Sequence, residues 1–155
     1  MKAIYSRTQA SAEALSKVSG EEADIYYESP TSPSHSIDAL LNRKDVEAVV
    51  IAVPILASGD LIRKAIAAKK HVLSEKPIAQ DIAVARNLLE YYRHHHQKLS
   101  SSEEVLWAVG ENFRFWNSVN RAAEILRGLE AKLVTFRTSV YNLMGPDNKY
   151  FHTEW

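Results

Sequence analysis

The run His71-Val72-Leu73-Ser74-Glu75-Lys76-Pro77 sets a carboxylate, an amine and a proline at the end of a short apolar stretch. If that stretch is a buried strand, Glu75 and Lys76 stand at its carboxyl end, the edge at which open α/β sheets bind ligands. A partly desolvated ammonium there can donate a proton or clamp a substrate hydroxyl. Pro77 restricts Lys76 to extended backbone, and the bond joining them is a candidate for the cis form. An arbitrary Glu-Lys-Pro is most often a solvated loop pair; the preceding strand is what favours chemistry here.

Other chemistry-bearing groups read more simply. His94-His95-His96 has the look of a metal tract, but consecutive helical residues point about 100° apart and cannot converge as an i, i+4 pair would. A solvated helix end is expected instead, and no metal. Trp107, Phe113, Phe115 and Trp116 could stack on a base, yet are expected to pack a core around a strand end. Arg121 and Arg127 with Glu124 and Glu130 form an ordinary charged helix face. With no cysteine in the chain, disulfides, thiolate nucleophiles and cysteine metal sites are all excluded.

Several elements must position Lys76. Strands are expected at Lys2–Tyr5, Ala23–Tyr27, Glu47–Val53, His71–Ser74 and Val105–Val109. Helices are expected over about 10–19, ended by Gly20, then from the Ser36 cap to Leu41, to about Ala68 with Ser58 or Asp60 as cap, over about 82–96, and over 118–129. Residues 28–36, with two prolines and four serines, read as a loop. Glu47–Val53 (EAVVIAV) is apolar on both faces, as expected where helices cover both sides of a parallel sheet. Strand and helix alternating in this way predict a parallel α/β sheet with right-handed crossovers. Leu133–Tyr141 alternates with period two and predicts an antiparallel strand that begins a second domain.

Composition sets outer bounds. A chain of 155 residues holds one domain with a real core and hardly two. Nineteen basic residues balance nineteen acidic ones, so no global field gathers nucleic acid or anionic membrane. The longest apolar run, Val46–Ala57, is too short to span a bilayer, and Met1–Arg7 has no signal-like stretch. A cytoplasmic, soluble protein is the expectation.

The segment VLSEKPIA, preceded by AVVIAVP and a helix, resembles the glucose-fructose oxidoreductase / inositol dehydrogenase (Gfo/Idh/MocA) family of NAD(P)-dependent enzymes. Lys2–Arg7 is similar to that family's second strand, and Val53-Pro54 to the end of its fourth. Glu111-Asn112-Phe113-Arg114-Phe115 is similar to its sixth-strand asparagine motif, and Asn148–Trp155 to a loop ending in tryptophan-arginine. The resemblance covers essentially the whole chain and is nearest to fungal NADP-type members.

The resemblance implies a Rossmann-like doubly wound parallel sheet, with a dinucleotide-binding domain over 1–116 and the start of an α+β substrate and oligomerisation domain over 117–155. It implies that Lys76 is catalytic, helping to deprotonate a sugar or polyol hydroxyl during hydride transfer. Glu75, Pro77, Val53, Pro54, Asn112 and Trp155 are then cofactor neighbours. Ser6 and Arg7 follow the second strand, where an acidic residue would bind an NAD ribose; an arginine suits a 2′-phosphate, so NADP is expected over NAD.

Two departures from the family pattern matter. Ile55–Ser58 replaces the asparagine and histidine that often follow the fourth-strand proline. No Gly-x-Gly-x-x-Gly occurs, nor the Asp-x-x-x-His segment that supplies the family's catalytic histidine. The sheet is therefore expected to lack its first strand, which is central in the doubly wound order. It should either split into halves or pair its neighbours directly, and cofactor binding should be weakened. Exposed strand edges would favour association with another chain, as in a homo-oligomer. Two functions follow: a hydride-transferring oxidoreductase, or a truncated, non-catalytic relative that binds a partner.

Overall fold

Strands and helices alternate from the first residues of the computed structural model. It describes residues 1–20, 22–97 and 104–129, and positions 135, 137, 139, 141 and 145–147. Two compact units, Met1–Glu111 and Asn112–Trp155, divide the chain and are described separately. The first contains β1 (Ala3–Ser6), α1 (Gln9–Ser19), β2 (Asp24–Tyr27), α2 (Ile37–Leu41), β3 (Ala48–Ile51), α3 (Ile55–Ala67), β4 (His71–Ser74), α4 (Ile82–Gln97) and β5 (Trp107–Val109). Residues read as pure loop include a 3₁₀ turn, Pro33–His35, opened by its proline.

Local chemistry accounts for most helix ends. The Thr8 hydroxyl accepts from the Ser11 N–H at 3.2 Å, and Gly20 closes α1 at φ 67°, a conformation open to glycine. The Ser36 hydroxyl accepts from Ala39 at 3.2 Å, and the Asp81 carboxylate from Val84 at 2.8 Å. Helix α3 departs from expectation, because neither Ser58 nor Asp60 caps it. Pro54 takes the N-cap position with an extended backbone, φ −53° and ψ 143°, so the helix starts at Ile55 and carries Ser58 buried within it.

Among the described residues all strand pairs are parallel, but the strands form two sheets: β1-β2 and β3-β4-β5. Of the two outcomes expected for a sheet without its central strand, the split is the one observed. Arg43 binds Asp24 at the start of β2 and Asp45 just ahead of β3, and the charge of Lys2 acts on the Asp45 carboxylate. The starts of β1, β2 and β3 therefore lie together, and all five strands run in the same sense. Between β1 and β3 lies a groove of about 380 Å³.

The core of this unit joins Leu40, Ile51, Ile62, Ile66, Val72 and Leu88. Along β3 and β4, Ile51, Val72 and Ser74 turn inward and are buried. Their alternates do not: Val50 is 75% and Leu73 44% exposed. The expectation of helices on both faces of β3 thus fails on one face. Strand residues alternate sides, and α3 packs against one side of β3 and β4 while α1 packs on β1 and β2.

The second unit begins with a 3₁₀ turn, Asn112–Phe115, and continues into α5 (Asn117–Gly128). Arg121 pairs with Glu124 across one turn at 3.1 Å, as expected for a charged face; Glu130 lies outside the described residues. Phe113, Phe115 and Trp116 are exposed, contrary to the core role expected for them. They lie in the turn and at the cap of α5, where Phe113 and Trp116 meet edge to face, 4.5 Å between centroids. The strand expected over 133–141 falls largely on residues outside those described.

Candidate functional site on the carboxyl rim of the sheets

Parallel strands of one sense bring their carboxyl ends to one rim. Ser6 and Arg7 follow β1 there, Val53 and Pro54 follow β3, and Glu75, Lys76 and Pro77 follow β4. Ser6 and Val53 are half-buried, whereas Arg7 and Pro54 are exposed.

The end of β4 is held from three directions. Glu75 N–H donates to the Ile51 carbonyl at 2.9 Å, and Gly110 N–H donates to the Ser74 carbonyl at 2.7 Å. The fully buried Ser74 hydroxyl accepts from the Trp107 indole N–H at 2.9 Å. Trp107 in turn meets the Tyr92 ring edge-on at 5.6 Å, and the Tyr92 hydroxyl donates to the Val105 carbonyl at 3.0 Å. Gly110 fits this arrangement because a Cβ there would lie 3.4 Å from the Ser74 carbonyl oxygen and 3.9 Å from the Glu75 Cα.

Beyond this anchor, Lys76 N–H donates to the Glu75 carboxylate at 3.0 Å, and the Lys76–Pro77 bond is cis. The side chains of Glu75, Lys76 and Pro77 are all exposed. The partial desolvation expected for the Lys76 ammonium is therefore not supplied by this unit. Its backbone is fixed, while its amine faces solvent beyond the rim.

At the far end of the rim, the Tyr5 hydroxyl donates to the Glu28 carboxylate. Burial, then this hydrogen bond, pushes the ionisation of Tyr5 well above its ordinary value, while the Arg7 charge pulls it down. Arg7 and Glu28 thus flank one hydroxyl with opposite charges. Glu28 was invisible as a site residue because it opens a proline-rich loop; its position directly after β2 was the available signal.

Asn112 opens the 3₁₀ turn of the second unit, and Trp155 lies outside the described residues. His95 is not simply solvated: its ring packs on Tyr91 at 4.1 Å, and Nδ1 donates to the Tyr91 carbonyl at 3.0 Å. Among the described residues, no group of three or more His, Asp or Glu is placed to hold a metal, and no helix is long and apolar enough to cross a membrane.

The rim's donor set fits a dinucleotide laid across it. The guanidinium of Arg7 is free to meet a phosphate, Val53 and Pro54 supply apolar surface, and Lys76 supplies a cation at a fixed backbone position.

Dehydrogenase FPY6 of Fusarium mangiferae is 44% identical over 155 residues, covering 100% of this chain and 43% of that protein. Uncharacterized protein YMR315W of Saccharomyces cerevisiae is 26% identical over 99% of this chain and 39% of its own. The chain therefore spans less than half the length of these relatives. Among solved structures, apo scyllo-inositol dehydrogenase from Lactobacillus casei superposes with a TM-score of 0.63 at 25% identity, over 82% of this chain and 33% of that one. KijD10, a 3-ketoreductase from Actinomadura kijaniata solved with NADP and TDP-benzene, gives 0.60 at 28% identity, over 82% and 34%. The family model GFO_IDH_MocA, described as an oxidoreductase family with an NAD-binding Rossmann fold, matches residues 1–103, and the chain belongs to that family.

Proposed function

We propose that this chain carries the nicotinamide-binding rim of an oxidoreductase that moves a hydride between NADP and a sugar, polyol or related carbonyl compound. The observation that carries the reading is the anchored end of β4, which presents Lys76 at the carboxyl edge of a parallel sheet. A bound nicotinamide would supply the hydride chemistry. The chain's own part is the proton: Lys76 Nζ withdraws it from a substrate hydroxyl during oxidation and returns it during reduction.

NADP is favoured over NAD by Arg7, whose guanidinium matches a 2′-phosphate. The sugar or polyol class is favoured by the inositol dehydrogenase and ketoreductase among the solved neighbours. A cofactor part ending at residue 116, followed by a substrate part from 117, is the matching division of labour, with Asn112 and Trp155 contributing to the cofactor site. The cysteine-free composition suits the reducing cytoplasm. Binding is expected to be weak, because the rim is interrupted by the groove between β1 and β3.

The test is NADPH consumption with keto-sugars at millimolar cofactor. Lys76→Ala should lower turnover by about 10²–10⁴-fold with little change in NADPH affinity. The second reading, a non-catalytic binding relative, is favoured by the groove and the uncovered face of β3. Absent turnover by a chain whose folded state is verified by circular dichroism would support it.

A further inference from the structure

We propose that Ser29 is a phosphorylation site for a proline-directed protein kinase, and that its phosphate is captured by Arg7. That guanidinium is the one assigned above to the 2′-phosphate of NADP, so the regulatory consequence rests on that reading; the modification and the capture do not.

The loop after β2 offers the substrate. Residues 28–36 read Glu-Ser-Pro-Thr-Ser-Pro-Ser-His-Ser, and Ser29 and Ser32 each precede a proline. Proline keeps the residue before it extended, the shape in which a kinase cleft takes up a serine. The two serines differ in how they are held. Ser32 precedes the 3₁₀ turn Pro33–His35, and its carbonyl accepts from the His35 N–H at 3.0 Å. Ser29 belongs to no strand or helix. Its Oγ lies 3.2 Å from Thr31 Oγ1 and accepts from the Thr31 N–H at 3.3 Å, contacts that open without disturbing either sheet. Ser29 itself is half-buried, but Glu28, Pro30 and Thr31 around it are exposed.

Strand register puts a cation beside the site. β1 and β2 are paired as far as Ser6 and Tyr27, and Arg7 and Glu28 are the next residue of each. Adjacent strands lie about 4.8 Å apart, so Ser29 is one residue beyond the neighbour of Arg7. The Tyr5 hydroxyl feels this arrangement: the charges of Glu28 and Asp38 raise its ionisation, and that of Arg7 lowers it. Phosphorylation breaks the Ser29 Oγ–H bond and forms Oγ–P with the terminal phosphoryl group of a nucleoside triphosphate. The proton passes to solvent and the diphosphate leaves. The new group carries a charge of about −2 near neutral pH. Glu28 and Asp38 repel it, while Arg7, exposed on the same rim, can bind two of its oxygens at once. A phosphate tethered this close acts at an effective concentration of roughly millimolar or more, enough to contest Arg7 with a dissolved dinucleotide. NADH has no 2′-phosphate and does not compete for Arg7, so its binding is spared.

The test uses the complete chain, ATP and a proline-directed kinase shown to modify a synthetic peptide of residues 26–35. Mass spectrometry should find phosphate on Ser29 of the folded chain. Phosphorus NMR should show that phosphate ionising at least about half a pH unit below the same group in Arg7→Ala, because a paired cation favours the charged form. NADPH affinity should fall at least about tenfold, while NADH affinity changes less than about twofold. Ser32→Ala should leave all three results unchanged, and Ser29→Ala should abolish them. A chain unmodified at Ser29 while the peptide is modified overturns the proposal, as does a phosphate that ionises alike with and without Arg7. Equal weakening of NADPH and NADH overturns the assigned consequence. If the unmodified chain binds no NADPH, the function proposed above fails, and the mass and NMR results decide the capture by themselves.

Discussion

Trp107→Phe isolates the bond that anchors the end of β4. The substitution keeps an aromatic ring against Tyr92 but removes the indole N–H, leaving the Ser74 hydroxyl without the donor that now lies 2.9 Å away. Ser74 is fully buried, so its hydroxyl cannot turn to water, and an orphaned buried group of this kind costs about 1–3 kcal/mol. For a chain of this size that corresponds to a fall in Tm of roughly 3–10 °C. Ser74→Ala should cost less, about 1 kcal/mol, because the half-buried Trp107 N–H can reach solvent. The double variant removes both polar ends together and should fall short of the sum by at least about 1 kcal/mol. Urea denaturation of all four proteins, followed by far-ultraviolet circular dichroism, measures the cycle. Trp107→Phe costing under about 0.5 kcal/mol, with additive single changes, would refute the claim that this bond holds the rim.

Two further outcomes follow from charges near the sheet. Hydrogen bonding to Arg43 lowers the Asp45 carboxyl from its ordinary 3.8 to about 2. A carboxyl depressed in the fold contributes stability that is present above its unfolded value and lost as pH falls from about 4 towards 2. Carboxylate NMR should therefore show Asp45 titrating near 2, and Arg43→Met should return it towards 3.8. Glu28→Gln removes the carboxylate that shares the Tyr5 hydroxyl with the field of Arg7. It should raise NADPH affinity several-fold relative to NADH in fluorescence titrations, because a carboxylate near a 2′-phosphate costs about 1 kcal/mol where water screens the pair fully. An unchanged ratio would place the phosphate elsewhere.

Sequence alone was sufficient wherever the signal was local or strongly periodic. His71–Ser74 forms a strand with the expected bounds, Gly20 adopts the left-handed conformation expected of a terminating glycine, and Ser36 caps α2. The placement of Glu75 and Lys76 at a carboxyl rim followed from the same reading. What failed depended on neighbours. The apolar run of β3 says that both faces avoid water, but not that a helix reaches each of them, and Val50 is left open. The desolvation expected at Lys76 is likewise a property of whatever surrounds it, not of Glu-Lys-Pro. The Ser74–Trp107 bond joins residues 33 apart, and no periodicity announces such a pair. Glu28 approaches Tyr5 only because β1 and β2 run side by side in register.

The rim as the place where a nicotinamide dinucleotide rests is tested most directly by amide chemical-shift mapping during an NADPH titration. The account predicts weak, saturable binding, with a Kd nearer millimolar than micromolar. Shifts should concentrate at Ser6, Arg7, Val53, Glu75 and Lys76, and diminish in Arg7→Ala. Saturable shifts that leave these five residues untouched, or unaltered binding by Arg7→Ala, would contradict it.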